Sequence, residues 1–266
     1  NGGAVLEVNA APGFRMHLDP TGGLGRNVAE PVVDMLFPPG APSRIPIIAC
    51  TGTNGKTTTT RLIAHIMRNS GFKVGMTCSD GVYIMNRLLM TGDCTGPLSA
   101  QFVLKDPLVN MAVLETARGG MLRSGLGFEH CDVGICTNVA ADHLGLKDIN
   151  TLDELAHVKS IVPRSVRKDG YAILNADDEL VMAMRKQCDS KIALFSLDEQ
   201  NRLIRQHCKL GGLAAIYENG YITISKGEWK LRIEKAVNVP LTYGGKAVFN
   251  IQNVLPAVLA AYVQGV

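Results

Sequence analysis

The stretch from Cys50 to Thr60 reads CTGTNGKTTTT and constrains the fold more than any other part of the chain. An apolar run at 45–49 precedes it and predicts a buried strand, and apolar residues at helical spacing follow it from Arg61 onward. A strand, a glycine turn, Lys-Thr and a helix are together typical of a phosphate-binding loop. The sequence therefore predicts an anion site built into a fold of strands and helices.

Within this loop we expect Lys56 to reach the outer phosphates and the Thr57 hydroxyl to bind Mg²⁺. The common form of the motif has a further glycine where this chain has Cys50, so the loop belongs to a subgroup. The candidate nucleotide-binding residues of the loop are Gly52, Thr53, Asn54, Gly55, Lys56, Thr57 and Thr58.

Composition argues against several classes of protein. The 266 residues are 46% hydrophobic, which supports a large core, and the net charge of +3 comes without a long basic run, so we expect no nucleic-acid partner. No apolar run of about 18 residues is present, so we expect no membrane partner. Seven scattered cysteines without a CxxC pair favour reduced thiols and a cytoplasmic location over disulfides or a zinc site.

Apolar runs alternate with helical patterns over much of the chain, which predicts an α/β fold with a mainly parallel sheet flanked by helices. Because ligands of such sheets bind beyond the carboxyl ends of the strands, functional residues should gather there. We expect strands at 45–49, 74–77, 109–114, 133–136, 172–174 and 192–195, and helices at 56–69, 98–104, 152–162 and 179–186.

The pattern changes after residue 203. Short strands at 214–218, 221–225 and 229–233, joined by Asn-Gly and Lys-Gly, predict a small antiparallel β flap on the sheet. The last segment predicts a helix capped by Asn253, which would place Pro256 in the first turn, where proline is tolerated.

The beginning of the chain predicts a separate domain. A strand-like run at 4–8 and a helix-like run at 27–37 precede a proline-rich linker at 38–43. We therefore expect one domain at 1–40 and a second at 41–266. Both ends look cut, as in a piece of a longer protein.

Polar residues follow two of the predicted strands. Glu115 ends the strand at 109–114, and Asn138, Asp142 and His143 follow the strand at 133–136. Oxygen ligands at strand ends near a triphosphate suit Mg²⁺, so Glu115 and His143 are candidate metal ligands. The alternatives are a solvated acid and a structural histidine.

Nearby segments are candidates for substrate contact. Arg118, Gly119 and Arg123 follow that acid, and paired arginines beside glycine backbone suit carboxylate or phosphate binding, with a flexible basic loop as the alternative. Thr95 and Ser99 stand at a predicted helix start and form a candidate substrate wall.

Two further segments have both a structural and a functional interpretation. Asn175 and Asp178 lie between a strand and a helix, where they predict either an N-cap or a nucleotide contact. Thr151 and Glu154 match a capping box that begins the helix carrying Lys159, a residue that by itself indicates only a solvated charge.

Four ordered motifs resemble the Mur ligase superfamily, which includes the peptidoglycan precursor ligases and folylpolyglutamate synthetase. They are GTNGKT at 52–57, NVAADH at 138–143, LNADD at 174–178 and NIQN at 250–253. Three more stretches are most similar to the cyanophycin synthetase family: ETARGG at 115–120, LRSGLGF at 122–128 and AVNVPL at 236–241. LEVNAAPG at 6–13 resembles the closing strand of an ATP-grasp domain.

The resemblance implies a ligase that uses ATP and Mg²⁺ at two sites. An ATP-grasp site would add aspartate, and a Mur-like site would activate the aspartate β-carboxylate as an acyl phosphate for attack by the arginine α-amine. The substrates would be the aspartate/arginine polymer and arginine. By this resemblance the catalytic residues are Lys56, Glu115, His143 and Lys159, the last near a lysine that many Mur ligases carbamylate.

The remaining roles also follow from the resemblance. Asn175, Asp178 and Asn253 would contact the nucleotide, and Asn138 the substrate. Glu7 and Asn9 would hold Mg²⁺ at the ATP-grasp site, of which residues 1–40 would be the C-terminal remnant.

The family has a further C-terminal domain that this sequence does not contain, so we expect a fragment unable to complete ligation alone. We also expect a homo-oligomer. Three alternatives remain: another Mur-type ligase such as one extending folate, a catalytically inactive nucleotide-binding module serving assembly, and a P-loop kinase, which Cys50 disfavours.

Overall fold

The computed structural model describes residues 3–4, 8–141, 145 and 149–266. The chain divides into two compact units, Asn1–Arg44 and Ile45–Val266. In the first unit the described residues form two short helices, α1 (Arg15–Leu18) and α2 (Ala29–Leu36), neither of which buries a side chain. The helix predicted at 27–37 is therefore confirmed with shorter bounds, whereas residues 5–7 of the strand predicted at 4–8 lie outside the described residues.

The second unit is one eleven-stranded sheet with helices on both faces. Its strands are β1 (Ile47–Thr51), β2 (Val74–Cys78), β3 (Gly81–Ile84), β4 (Arg87–Thr91), β5 (Met111–Glu115), β6 (Cys131–Cys136), β7 (Val166–Asn175), β8 (Lys191–Ser196), β9 (Leu213–Glu218), β10 (Tyr221–Lys226) and β11 (Trp229–Lys235). Its helices are α3 (Lys56–Asn69), α4 (Pro97–Leu104), α5 (Arg118–Ser124), α6 (Leu152–Arg164), α7 (Glu179–Ala183), α8 (Arg202–Lys209) and α9 (Val248–Val263).

The strand order is β11-β10-β9-β8-β7-β6-β1-β5-β2-β3-β4. The strands from β9 to β2 are all parallel to their neighbours, and antiparallel hairpins extend the sheet at both edges. The predicted mainly parallel α/β sheet is thus confirmed. The antiparallel flap predicted on the sheet is present in β10 and β11, but the prediction is wrong in one respect. β9 pairs parallel with β8, because α8 supplies the crossover that a parallel pair requires.

Two apolar layers enclose the sheet. Along β1, Ile47 and Ala49 face the layer covered by α4 to α8, whereas Ile48 and Cys50 face the layer covered by α3 and α9. Because both faces of the central strands are buried, their sequences are almost continuous apolar runs. This burial holds β1 and its neighbours rigidly and fixes where their carboxyl ends lie.

The helix ends follow local signals in α3 but not in α9. Helix α3 has the predicted bounds, with Gly55 as its N-cap. The prediction that Asn253 caps the last helix is wrong, since α9 begins at Val248 and holds Pro256 in its interior. An interior proline removes a backbone hydrogen bond, and the complete burial of Ile251 and Leu255 against the sheet offsets that loss.

Four elements have no counterpart in the sequence predictions. These are β3 and β4, which form a hairpin, the helix α8, and the helix α5, which forms where a flexible basic loop was the alternative to a substrate-binding segment. Across the part of the chain that is described, no helix combines the length and the apolar character needed to cross a bilayer.

Candidate functional site

The loop between β1 and α3 depends on two glycines with positive φ angles. Gly52 has φ 144°, and a Cβ there would lie 1.9 Å from the Thr137 hydroxyl oxygen. Gly55 has φ 82°, and a Cβ there would lie 2.0 Å from the Asn253 side-chain oxygen. No side chain fits at either position, so the loop backbone packs directly against the segment after β6 and against α9.

The first turn of α3 leaves its backbone N–H groups open. The N-cap Gly55 offers no side-chain acceptor, and the first amide with a helical partner is that of Thr59, which bonds to the Gly55 carbonyl 2.9 Å away. Among the described residues, the amides of 55–58 have no hydrogen-bond partner. Beside them the Lys56 Nζ donates to the Thr53 carbonyl at 2.8 Å. Open amides at a helix N-terminus and an adjacent lysine fit a phosphate chain.

Cys50 occupies the position of the missing glycine because β1 continues through Thr51 and the backbone turns only at Gly52. The thiol is completely buried, and this burial raises its pKa well above the ordinary value. The thiol group is therefore part of the core and not of the site's chemistry.

A cluster of oxygen atoms lies next to the first turn of α3. The Thr57 hydroxyl donates to the Glu115 Oε2 at 2.9 Å and lies 3.1 Å from the Ser79 hydroxyl, and the Ser79 amide donates to the same carboxylate oxygen at 3.2 Å. Glu115 is 2% exposed. Its burial raises the carboxyl pKa, which the Thr57 hydrogen bond and the Lys56 charge only partly oppose.

Register explains why these oxygens meet. Glu115 is the last residue of β5 and pairs with Cys50 of β1, while Ser79 directly follows β2 on the other side of β5. Hydroxyl and carboxylate oxygens suit Mg²⁺, which keeps waters and takes few protein ligands. Within the described ranges no three His, Cys, Asp or Glu side chains form a metal-binding group, so a cation here would depend on the hydroxyls.

Ser79 was not among the site residues predicted from the sequence. The signal was present, since Ser79 follows a predicted buried strand in the same way as Glu115 does. What could not be inferred was that β2 lies beside β5, which only the strand order shows.

A cavity of about 270 Å³ opens beside the loop. Lys56, Arg118 and Lys159 line it together with one acid, Asp93. The Lys159 side chain is 4% exposed, and its Nζ donates to the Gly52 carbonyl at 2.7 Å. The cavity thus presents several positive charges directly next to the phosphate loop, which suits a carboxylate or phosphate ligand.

The capping box predicted for α6 places Lys159 there. The Glu154 amide donates to the Thr151 hydroxyl at 3.2 Å, and the Thr151 amide donates to the Glu154 carboxylate at 3.0 Å. These bonds fix the first turn of α6, and Lys159 follows on its buried face. The prediction of a capping box is confirmed.

Only some of the predicted substrate-binding residues line the cavity. Arg118 and Gly119 line the cavity, whereas Arg123 is exposed in the last turn of α5. Thr95 and Ser99 do not line the cavity. Thr95 instead supports the cavity acid, because its amide and hydroxyl both donate to the Asp93 Oδ1, at 3.2 and 2.6 Å.

Asn175 and Asp178 hold the segment after β6 in place. Asn175 is 2% exposed and its Nδ2 donates to the Thr137 carbonyl at 2.8 Å. Asp178 caps α7 by accepting from the Val181 amide at 3.0 Å and accepts from the Val139 amide at 2.7 Å. The predicted N-cap at Asp178 is confirmed, and both side chains already bond to backbone groups around the site.

Some predicted site residues belong to the first unit or lie outside the described residues. His143, Asp142 and Glu7 lie outside the described residues. Asn9 belongs to the first unit, where its Oδ1 accepts from the Ala11 amide at 3.0 Å. The side-chain amide of Asn253 lies against Gly55 from α9, next to the open amides.

Comparison with known proteins identifies the fold. Residues 50–261 match the family model described as the Mur ligase middle domain. The chain belongs to the Mur ligase family. Curated relatives named cyanophycin synthetase include those of Crocosphaera subtropica, 62% identical over 99% of this chain, and Geminocystis herdmanii, 59% identical over the same share. The chain spans about 30% of the length of these relatives.

More distant relatives also match most of this chain. The UDP-N-acetylmuramoyl-L-alanyl-D-glutamate–2,6-diaminopimelate ligase of Listeria monocytogenes is 25% identical and matches 84% of this chain and 45% of its own length. A solved structure of such a ligase matches with a TM-score of 0.64 at 23% identity, covering 89% of this chain and 46% of the other.

A structure of a bifunctional folylpolyglutamate synthase/dihydrofolate synthase with Mn, AMPPNP and L-glutamate bound matches with a TM-score of 0.57 at 18% identity. It covers 95% of this chain and 61% of the other. At these identities the two structures show the fold alone. The predicted Mur ligase fold and the resemblance to cyanophycin synthetases are therefore confirmed.

Proposed function

We propose that the chain forms the ATP site of a ligase that adds arginine to the aspartate residues of an aspartate/arginine polymer. One observation carries this proposal. Lys56 and the open amides at the start of α3 lie next to the oxygen atoms of Thr57, Ser79 and Glu115. The choice of polymer is supported by relatives named cyanophycin synthetase that share 57–62% of residues over 99% of the chain.

The residues present fit Mg-ATP. The amides of 55–58 and the Lys56 ammonium would take the phosphates, and Thr57, Ser79 and Glu115 would hold Mg²⁺, with His143 as a further ligand. Because the Lys56 Nζ bonds, among the described residues, only to a loop carbonyl, at 2.8 Å, it can turn to an outer phosphate at the cost of one hydrogen bond. Asn253, next to Gly55, would lie beside the nucleotide.

The cavity would hold the reacting carboxylate. Arg118 and Lys159 would attract and orient it next to the loop, so that the two reactants meet in a fixed geometry. ATP would supply the phosphoryl group that turns the aspartate β-carboxylate into an acyl phosphate, and Mg²⁺ would screen the phosphate charge. The arginine α-amine would then attack the carbonyl carbon, releasing inorganic phosphate and a proton and leaving an amide.

Several parts of the proposal rest on the sequence alone. They are the ATP-grasp origin of residues 1–40, the domain bounds 1–40 and 41–266, a metal site at Glu7 and Asn9, and assembly into a homo-oligomer. We propose that Asn175 and Asp178 serve the nucleotide indirectly, by positioning the segment after β6.

A segment exchange tests the function. The matched segment of the Crocosphaera subtropica relative would be replaced by this chain, since the two are 62% identical over 264 residues. We expect the chimera to incorporate radiolabelled arginine into the polymer in an ATP-dependent manner, and Lys56→Ala to abolish it. Lys73→Ala, an exposed lysine before β2, serves as the matched control.

Two outcomes would contradict the proposal. A folded chimera that incorporates no arginine while the parent does would exclude the arginine-adding function. Equal incorporation by the chimera and its Lys56→Ala variant would exclude the phosphate loop as its ATP site. Offering glutamate with a folate acceptor to the same chimera distinguishes a folate-extending ligase.

A further inference from the structure

Asn138 holds the tip of the phosphate loop. Its main-chain carbonyl accepts from the Thr53 amide at 2.9 Å. Its side chain bonds to both backbone groups of Asn54: Oδ1 accepts from the Asn54 amide at 2.9 Å, and Nδ2 donates to the Asn54 carbonyl at 3.1 Å. The amides of both tip residues are therefore already used within the protein.

Neighbouring side chains reinforce this contact. The Thr137 hydroxyl donates to the Asn54 carbonyl at 2.7 Å, and the Ala140 amide donates to the Thr53 hydroxyl at 3.0 Å. Residues 137–140 thus line the loop tip along its length. The same segment is bound from behind by the side chains of Asn175 and Asp178, so it is a firm support.

The amides of the loop fall into two groups as a result. Those of Thr53 and Asn54 point to Asn138, whereas those of 55–58 are open among the described residues. An amide engaged at 2.9 Å must lose that bond before it can donate to a phosphate oxygen. The phosphates should therefore be received by the later group, which also lies at the positive end of α3.

We propose that Asn138 is a positioning residue that keeps the loop tip away from the phosphates and leaves the amides of 55–58 to receive them. The inference rests on the proposed ATP site and adds the way its loop is held. It replaces the expectation that Asn138 contacts the substrate, since Asn138 does not line the cavity and its amide group bonds to the loop.

The first test uses amide hydrogen exchange on the chain without nucleotide. Asn138→Ala removes both side-chain bonds to Asn54 and keeps the main-chain bond to Thr53. We expect exchange at the Asn54 amide to quicken about tenfold, the change that loss of one such hydrogen bond allows. Asn110→Ala is the matched control, because the Asn110 Oδ1 accepts from the Lys73 amide at 2.7 Å. It should quicken exchange at Lys73 and leave Asn54 unchanged.

The second test follows exchange as MgADP binds to the unaltered chain. We expect new protection at the amides of 55–58 and no further protection at Thr53 and Asn54. New protection at the two tip amides, with none at 55–58, would overturn the proposal, because it would show that the tip itself takes the phosphates.

The third test measures MgADP affinity by calorimetry. We expect Asn138→Ala to weaken binding about tenfold without a matching fall in melting temperature. Asn138→Asp should weaken it further, because a carboxylate would repel both the Asn54 carbonyl and the phosphates. If the alanine variant does not fold, Asn138→Ser, which also cannot span both groups of Asn54, takes its place.

The outcomes separate this inference from the proposed function. If the unaltered chain does not bind MgADP, the proposed ATP site fails. If it binds MgADP and both Asn138→Ala and Asn138→Asp bind equally well, the site stands and the positioning role is wrong.

Discussion

The polar groups at the two ends of the parallel strands are used in opposite ways. We call the side of the sheet where these strands begin the amino edge, and the side where they end the carboxyl edge. At the amino edge, the Asp132 Oδ2 accepts from the Ile47 amide at 2.8 Å and the Asn110 Oδ1 accepts from the Lys73 amide at 2.7 Å. Such contacts close the starts of strands. At the carboxyl edge, the amides of 55–58 are open within the described part of the chain, and Glu115 is buried at a cost in free energy.

The difference shows where binding is possible. Groups that are satisfied within the fold contribute stability but have little left for a ligand. Polar groups that are held in place without a hydrogen-bond partner contribute little to stability. They can form their hydrogen bonds with a ligand instead, so they contribute to binding. Substitutions at the carboxyl edge should therefore change ligand binding more than stability, and those at the amino edge should do the opposite.

The largest effect is expected for Lys56→Ala. Loss of the ammonium beside the open amides should weaken Mg-ATP binding by about two orders of magnitude, comparable to losing a preorganised charge at an enzyme site. Because the Lys56 Nζ makes a single hydrogen bond within the described part of the chain, to the Thr53 carbonyl, the melting temperature should hardly change. Calorimetry and thermal unfolding measure the two quantities. An equal loss of affinity in Lys73→Ala would mean that overall charge, and not position, matters.

The next largest effect is expected for Glu115→Gln. The amide can still accept from Thr57 but cannot neutralise a cation, so the gain in ATP affinity that Mg²⁺ brings should fall at least about tenfold. Affinity measured without Mg²⁺ should change little. Asp80→Asn, at an exposed acid beside Ser79 that pairs with Arg61, is the nearby control and should keep the Mg²⁺ effect.

The same variant also tests the cost of the buried acid. Burial raises the Glu115 pKa, so the folded chain binds the proton more tightly than the unfolded chain and loses stability as the pH rises through that pKa. Glu115→Gln removes this loss. Urea unfolding without Mg²⁺ at neutral pH should find the variant at least as stable as the original, and a clear loss of stability would contradict the comparison.

At the amino edge the expected effect is on stability. Asp132→Ala leaves the Ile47 amide without its acceptor and removes a partner 3.6 Å from Arg167, which should cost about 1–2 kcal/mol of unfolding free energy. Mg-ATP affinity should stay the same. Asp169→Ala is the matched control, because the exposed Arg167–Asp169 pair should contribute little. A fall in affinity with Asp132→Ala would break the division between the edges.

The smallest effect is expected for His207, whose ring nitrogen lies 3.2 Å from the carbonyl of Leu213, the first residue of β9. Burial lowers the His207 pKa, so protonation favours the unfolded chain, and stability should fall as the pH drops below about 6.5. His207→Gln should remove that part of the fall. Urea unfolding at two pH values measures it, and an unchanged pH dependence would assign the fall to other groups.

Local signals predicted some elements well. The bounds of α3 agree with the prediction because Gly55 marks its start and the apolar spacing runs to its end. The capping box at Thr151 and the N-cap at Asp178 were also predictable, since each depends on residues close in sequence. The mainly parallel pairing of the central strands followed from the alternation of strands and helices, whereas the parallel pairing of β9 with β8 did not.

The features that could not be predicted from the sequence depend on contacts between residues far apart in the chain. Ser79 and Asn138 reach the loop because β2 lies beside β5 and β6 lies beside β1. No local sequence pattern indicates this strand order. The start of α9 was mispredicted because burial against the sheet outweighs the effect of Pro256. The hairpin of β3 and β4 was not predicted because its exposed edge strand β4 lacks the alternation of apolar and polar residues that is typical of a strand. It holds three adjacent apolar residues, Leu88 to Met90.

The most direct measurement is a crystal structure of the chain with AMPPNP and Mn²⁺, with the metal located by its anomalous scattering. The account predicts one Mn²⁺ in contact with the Thr57 hydroxyl and the Glu115 carboxylate, phosphates on the amides of 55–58, and the Lys56 ammonium turned from the Thr53 carbonyl to an outer phosphate. Nucleotide bound elsewhere on the chain, or Mn²⁺ bound away from Thr57 and Glu115, would contradict it.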